Sequence, residues 1–253
     1  MKIVVYTCIL NGFDNLHPPL LEALRDSEAR YICFTDNPHA PSVPPWEYRP
    51  AYIPFDNMGR NSRIPKILPH LFFDADYSIW HDGCFALKMR PEDIVGSLGA
   101  HEIAAHRHPA RKCLFEEAEL CIAEKIGDAG EISRQAKLYE LLGHPKGSGL
   151  WANGLIVRKH SAAINDFNEG WWLAYRDGCS RDQISFPFVL RNSGIQIQTL
   201  GWNPWASPLM EFYWHDAFKG RGDVDSFAAE NEAMKAKMDR LREVAGDDKK
   251  IRL

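Results

Sequence analysis

The run Tyr77-Ser78-Ile79-Trp80-His81-Asp82-Gly83-Cys84 is β-rich and stops abruptly at Asp82, so it delivers a carboxylate where a buried strand surfaces. In an open α/β sheet the carboxyl ends of strands face the binding crevice, and a carboxylate fixed there can hold a divalent cation or a sugar hydroxyl. Mg²⁺ and Mn²⁺ favour carboxylate oxygens, and Gly83 lets a diphosphate approach the backbone closely. The same Asp-Gly pair also serves as an ordinary strand-ending turn. His81 alternates to the other face of the strand and reads as structural.

A cationic group precedes this strand. Arg60, Arg63 and Lys66 stand at i, i+3 and i+6, in a segment without an acid from Gly59 through Phe73. On a helix the first two share a face, with the third partly rotated away. Guanidinium forks match phosphate oxygens, so the trio is a candidate anion site, with a solvated charged face as the alternative. His106, His108 and Arg111 follow another predicted strand and are candidates for phosphate, sugar or metal contact, although surface histidines are common. Zinc is unsupported there, because no cysteine pair accompanies them. Glu116 and Glu117 offer carboxylates that could simply pair with these cations.

Asp182 and Gln183 open a predicted helix, where an acid caps the orphan N–H groups and favours the helix dipole. An acid beside an amide is also suited to holding sugar hydroxyls. Trp171 and Trp172 could stack on a sugar face, yet adjacent helical residues point in different directions, so at least one belongs to the core. His215 follows the aromatic run Phe212-Tyr213-Trp214. It is either structural or a second metal ligand arriving from a distant segment to close a site around Asp82.

The elements that must position these side chains alternate. Strands are expected at Lys2–Thr7, Arg30–Asp36, the run into Asp82, His101–His106, Leu150–Val157 and Ile195–Leu200. Between them lie apolar-periodic segments around Leu20–Leu24, from Arg60, from Pro91, over 114–142 with a break at Gly127–Gly130, through Trp171-Trp172, and from Asp182. The stretch Pro38–Pro54 carries Pro41, Pro44, Pro45 and Pro50 and reads as an extended surface connection. Such alternation predicts a mostly parallel central sheet, Rossmann-like, with helices on both faces. Residues 1–222 read as one domain, followed by a charged helix over 223–245 and a polar tail.

Composition narrows the function classes. The chain has 253 residues, 45% of them hydrophobic, and can bury a full core. A formal net charge of −4 gives no general attraction to nucleic acid or anionic membranes, so anion binding must be local. No Gly-x-Gly-x-x-Gly follows the first strand and no phosphate-binding loop occurs, which argues against nicotinamide-dinucleotide and P-loop chemistry. The six cysteines form no CxxC pair and read as free buried thiols. The N-terminal apolar run is too short for a signal peptide, no window approaches a membrane span, and a cytoplasmic protein is expected.

Taken together, Tyr6-Thr7 with Asn11-Gly12-Phe13-Asp14, Ile32–Asn37, Arg60-x-Ser62-Arg63-x-x-Lys66, Tyr77–Gly83, His106-x-His108-x-x-Arg111-x-Cys113 and Arg181-Asp182-Gln183-x-Ser185-Phe186 resemble the DUF616 (TOD–MUCI) glycosyltransferase-like family. The resemblance implies a GT-A-like fold and transfer of a sugar from a nucleotide sugar, a UDP-sugar in the first instance, to a hydroxyl acceptor on a polysaccharide, glycolipid or other glycan. It implies retention of the anomeric configuration and Mn²⁺ or Mg²⁺ as cofactor. Tyr6, Thr7 and Asp36 would line the nucleoside pocket, and Arg60, Arg63 and Lys66, with His106, His108 and Arg111, would face the donor. Asp82 would take the place of the Asp-x-Asp motif, Asp182 and Gln183 would contact the donor sugar, and His215 resembles a late metal-ligand histidine. The sequence here reads Asp82-Gly83-Cys84, without the second acid. A catalytically silent nucleotide-sugar or carbohydrate-binding protein is the alternative, and a metal-dependent phosphate-ester hydrolase is a third, for which the usual crowd of acids is absent.

Overall fold

A computed structural model describes residues 1–213. The expected helix over 223–245, the polar tail and His215 lie outside the described residues. The first strand, β1 (Ile3–Ile9), is buried at every position, as a strand covered on both faces of its sheet must be. After the one-turn helix α1 (Leu21–Leu24), β2 (Arg30–Thr35) pairs with β1 in parallel. β3 (Trp46–Pro50) then pairs with β2, also in parallel. It falls in the segment expected to be an irregular connection. Pro50 ends this edge strand, and an edge position leaves one row of backbone groups without a ladder partner, so proline is tolerated there.

Helix α2 (Met58–Ile67) starts where the side chain of Asn57 accepts the Arg60 N–H, and β4 (Tyr77–His81) returns beside β1. The remaining elements are β5 (Phe85–Leu87), α3 (Pro91–Gly96), β6 (Ile103–Arg107), α4 (Leu114–Ala123) and α5 (Ala129–Leu141). β7 (Trp151–Lys159), α6 (Ala162–Arg176), α7 (Asp182–Ser193), β8 (Ile197–Thr199) and β9 (Met210–Phe212) follow. The seven-stranded sheet has the order β3-β2-β1-β4-β7-β6-β8. β7 alone runs against its neighbours, antiparallel to both β4 and β6. β5 and β9 make a separate antiparallel ribbon.

One face of the sheet buries Val5, Ile79, Leu155 and Val157 with Ile94 of α3 and the β5/β9 ribbon. The other buries Tyr6, Trp80 and Ile156 against Ile67 of α2, Trp171 of α6 and Phe186 of α7. A smaller cluster joins α4, α5 and α7 through Leu114, Ile132 and Ile184. Helices on both faces of a mostly parallel sheet make the fold mixed α/β and Rossmann-like, as the alternation of elements predicts. All six cysteines are buried and unpaired. Among the described residues no helix is long and apolar enough to cross a membrane.

A buried cation ties the second face together. Arg158 of β7 is fully buried, and it donates to the Tyr6 hydroxyl at 2.7 Å, to Asn168 Oδ1 of α6 at 2.9 Å, and to the carbonyl of Lys66. A guanidinium on a carbonyl in the last turn of α2 satisfies a group the helix leaves orphaned and complements the negative end of its dipole.

Candidate functional site

The chain leaves β1 toward β2 on one side, while β4 lies on the other, so the loops after β1 and β4 diverge and open a crevice between them. A cleft of about 590 Å³ lies there, with Asn11 after β1, Asp82 and Gly83 after β4, and Met58, Gly59 and Arg63 of α2 in its wall. A chamber of about 290 Å³ adjoins it, walled by Asn153 and Gly154 of β7, His108, Arg111, Gln183 and Trp205. Arg63, Asp82 and Arg181 belong to both walls. Because β7 is antiparallel, it is its N-terminal end that reaches the crevice. The two cavities are therefore one crevice with a waist built from two guanidiniums and a carboxylate.

Lys66 lies at the floor of this waist. Its ammonium, 2% exposed, sits 3.1 Å from Asp82 Oδ1 and 3.0 Å from Asp182 Oδ2, with the Trp80 ring centroid at 5.4 Å. Trp80 Nε1 donates to the same Asp82 oxygen at 2.9 Å. Arg63 Nε lies 3.7 Å from Asp182 Oδ1. Burial alone would raise the Asp182 carboxyl, but Lys66, Arg63 and Arg181 outweigh it and hold the group well below the usual carboxylate range. Asp182 is thus a fixed anion and a weak base.

A second knot braces the chamber. Glu117 of α4 is fully buried and receives Arg111 on one oxygen and Arg181, at 3.2 Å, on the other. Burial would raise its carboxyl, and the two guanidiniums lower it below the ordinary value. His108 caps the following turn, its Nδ1 accepting the Arg111 N–H at 2.9 Å. Burial, then the Arg111 guanidinium, push it down to about 4, so it is neutral near pH 7.

The structure brings Arg63, Lys66, Asp82, His108, Arg111, Asp182 and Gln183 to the crevice. It places other expected residues elsewhere. Tyr6 and Thr7 are fully buried, and the Tyr6 ring packs on Phe73 and Trp80, so neither presents a surface to a ligand. Alternation along a strand buried on both faces leaves only its end for ligands. Asp36 is exposed and accepts the Asn11 N–H through both oxygens at 3.0 and 2.9 Å, which fixes the loop after β1 instead of entering the cleft. Arg60 turns away from the crevice to the carbonyls of Arg176 and Gly178, both at 2.9 Å, and to Glu131. His106 is buried against Ser207, 2.9 Å from its hydroxyl. His81 is buried too, with Nδ1 3.0 Å from the Asp82 carbonyl and its ring against Trp46, as its strand face predicts. Trp171 is core.

The residue types alone did not single out Arg181 or Asn153. Arg181 stands next to the more conspicuous Asp182, and a lone cation at a helix start reads as unfavourable to the dipole rather than as a ligand contact. Asn153 does leave a trace, a polar residue within the apolar strand Trp151–Val157.

Metal binding by these residues meets a direct obstacle. Among the described residues no group of three or more His, Cys, Asp or Glu is placed to hold a metal ion. Asp82, the expected ligand, already shares one oxygen between an ammonium and an indole N–H. A dication would compete with Lys66 for that carboxylate. The described residues do not fit a metal.

A comparison with curated proteins finds no match. Residues 51–199 match the family described as TOD1/MUCI70, glycosyltransferase-like domain. The match takes in the cationic face of α2, Asp82, the Glu117 knot, Asn153 and the start of α7, and leaves Tyr6, Thr7 and Asp36 outside it. The span exceeds half of the chain, and the protein belongs to the TOD1/MUCI70 glycosyltransferase-like family.

Proposed function

We propose that this protein transfers a sugar from a nucleoside-diphosphate sugar, a UDP-sugar in the first instance, to a hydroxyl group of a glycan, polysaccharide or glycolipid acceptor. The shape of the crevice carries this reading. A larger cleft suits the nucleoside, a chamber of monosaccharide size suits the sugar, and the guanidiniums of Arg63 and Arg181 at the waist suit the diphosphate between them. The half-exposed Phe13 and Met58 in the cleft wall offer apolar surface to a base.

On this reading the cations at the waist act on the charge that grows on the departing diphosphate, in a site already arranged before the donor arrives. Lys66 holds Asp82 and Asp182 in place. Since Asp182 is a weak base, the proton of the acceptor hydroxyl passes more readily to the departing diphosphate itself, which accords with retention. The cations at the waist supply positive charge of their own, so the reading does not depend on Mn²⁺ or Mg²⁺. A cytoplasmic location accords with unpaired buried thiols.

One observation favours a second reading, a silent nucleotide-sugar-binding protein: both crevice aspartates are bound by the same ammonium. Calorimetry with a panel of nucleotide sugars, with Mn²⁺ and with a chelator, tests the two together. The expected result is binding of one donor that survives chelation, with slow hydrolysis of that donor lost in Asp182→Ala. Binding without any turnover would favour the silent binder. Failure of every donor to bind would remove both.

A further inference from the structure

Asn153 is the one described residue with both of its side-chain polar atoms buried and without a hydrogen-bond partner. Its residue exposure is 4%, and it forms part of the wall of the 290 Å³ chamber. Leaving a buried donor and acceptor unmade is costly, and native structures keep such groups where something else completes them. The chamber's other polar side chains each have at least one polar or charged partner. Asp182 faces Lys66 and Arg63, Gln183 donates to the Trp151 carbonyl at 3.0 Å, Arg111 meets Glu117, and Arg181 uses Nη2 on Glu117 at 3.2 Å while its position in both walls turns it to the waist proposed for the diphosphate.

We propose that the Asn153 side-chain amide is the group that recognises the donor sugar, pairing with two neighbouring hydroxyls of the ring. This rests on the reading of the crevice as a nucleotide-sugar site, and it moves sugar recognition from Asp182 and Gln183 to a residue of β7. A primary amide offers an acceptor oxygen and donor N–H groups side by side, and adjacent hydroxyls, each able to donate or accept, match it whichever way the amide is turned. A carboxylate or phosphate would use only the donor half and leave the oxygen unsatisfied. The remaining wall agrees with a saccharide: Phe85 and the half-buried Trp205 present apolar surface for the C–H face of a ring. The chamber, at about 290 Å³ just under the range of ~300–1,000 Å³ for drug-sized ligands, has room for one sugar.

The test compares wild type with Asn153→Ala by calorimetry, using the best nucleotide sugar and the matching nucleoside diphosphate, together with thermal unfolding of the free protein. The expected result is about tenfold or more loss of affinity for the nucleotide sugar. Affinity for the diphosphate should stay within about twofold, and the melting temperature of the free protein should not fall, since the substitution removes two unpaired polar atoms. Equal affinities of the two proteins for the nucleotide sugar would overturn the inference while leaving the functional reading intact. Equal losses for both ligands with a lowered melting temperature would overturn it in favour of a structural role. A wild type that binds the diphosphate but gains nothing from the sugar would overturn it as well, and one that binds neither ligand would remove the functional reading with it.

Discussion

Lys66 is held from both directions, by two carboxylates at its ammonium and by Arg158 at its carbonyl. Removing the ammonium would leave Asp182, whose side chain is 6% exposed, as a buried charge short of its nearest partner. Breaking such a buried pair costs about 3–5 kcal/mol, and solvent at Asp82 moves Lys66→Met toward the lower end of that range. The expected outcome is a clear drop in the urea midpoint; an unchanged midpoint would show that the pairs contribute nothing net. The cations of α2 were legible because i and i+3 spacing fixes a shared helical face. That Arg60 departs from this face was not, because the carbonyls that capture it lie at and just past the end of α6, far away in sequence. Nor could residue types reveal that Asp82 accepts an ammonium: a carboxylate looks the same in sequence whether it meets a metal, a hydroxyl or a lysine.

At the scale of elements, β7 determines what the chamber can hold. A methyl group on Gly154 would stand 3.0 Å from Phe85 Cε2 and 3.5 Å from Asp82 Oδ2. Phe85 is buried and has little room to yield, so Gly154→Ala should destabilise by about 1–3 kcal/mol through overpacking. It should also weaken nucleotide-sugar binding more than nucleoside-diphosphate binding, because the methyl group encroaches on the chamber and not on the 590 Å³ cleft. Equilibrium unfolding and a pair of titrations would check both expectations, and undiminished sugar affinity would place the sugar elsewhere. The strands were legible where hydrophobic runs ended in carboxylates, as at Asp36 and Asp82, and helices where apolar period and caps agreed. β3 was hidden by its prolines, and β5 and β9 by a length of three residues each, too short for alternation to show. The reversed direction of β7, which brings Asn153 to the crevice, follows from packing and leaves no mark in local sequence.

For the whole molecule, buried histidines govern the response to acid. Burial pushes His81, His106, His108 and His160 down to about 4 from an ordinary value of 6.5. Unfolding therefore takes up protons at these sites between about pH 6.5 and pH 4, and stability falls as pH drops through that window. Asp182 adds a loss of the same sign lower down: its depressed value stabilises the fold above the unfolded carboxylate range, and this contribution fades as pH falls further. Urea midpoints measured from pH 7 to pH 4 should decline steadily, and His81→Gln should flatten the slope. A profile level over that range would contradict the burial of neutral imidazoles. The same coherence shows in Arg158, whose single guanidinium joins β1, α2, α6 and β7 beneath the crevice. A lysine side chain carries about 2 kcal/mol of rotamer entropy, and here that freedom is surrendered during folding rather than when a ligand arrives. Association at this floor should then show, in calorimetry, a small entropic penalty beside its enthalpy, the thermal signature of a cavity that does not rearrange to receive its guest.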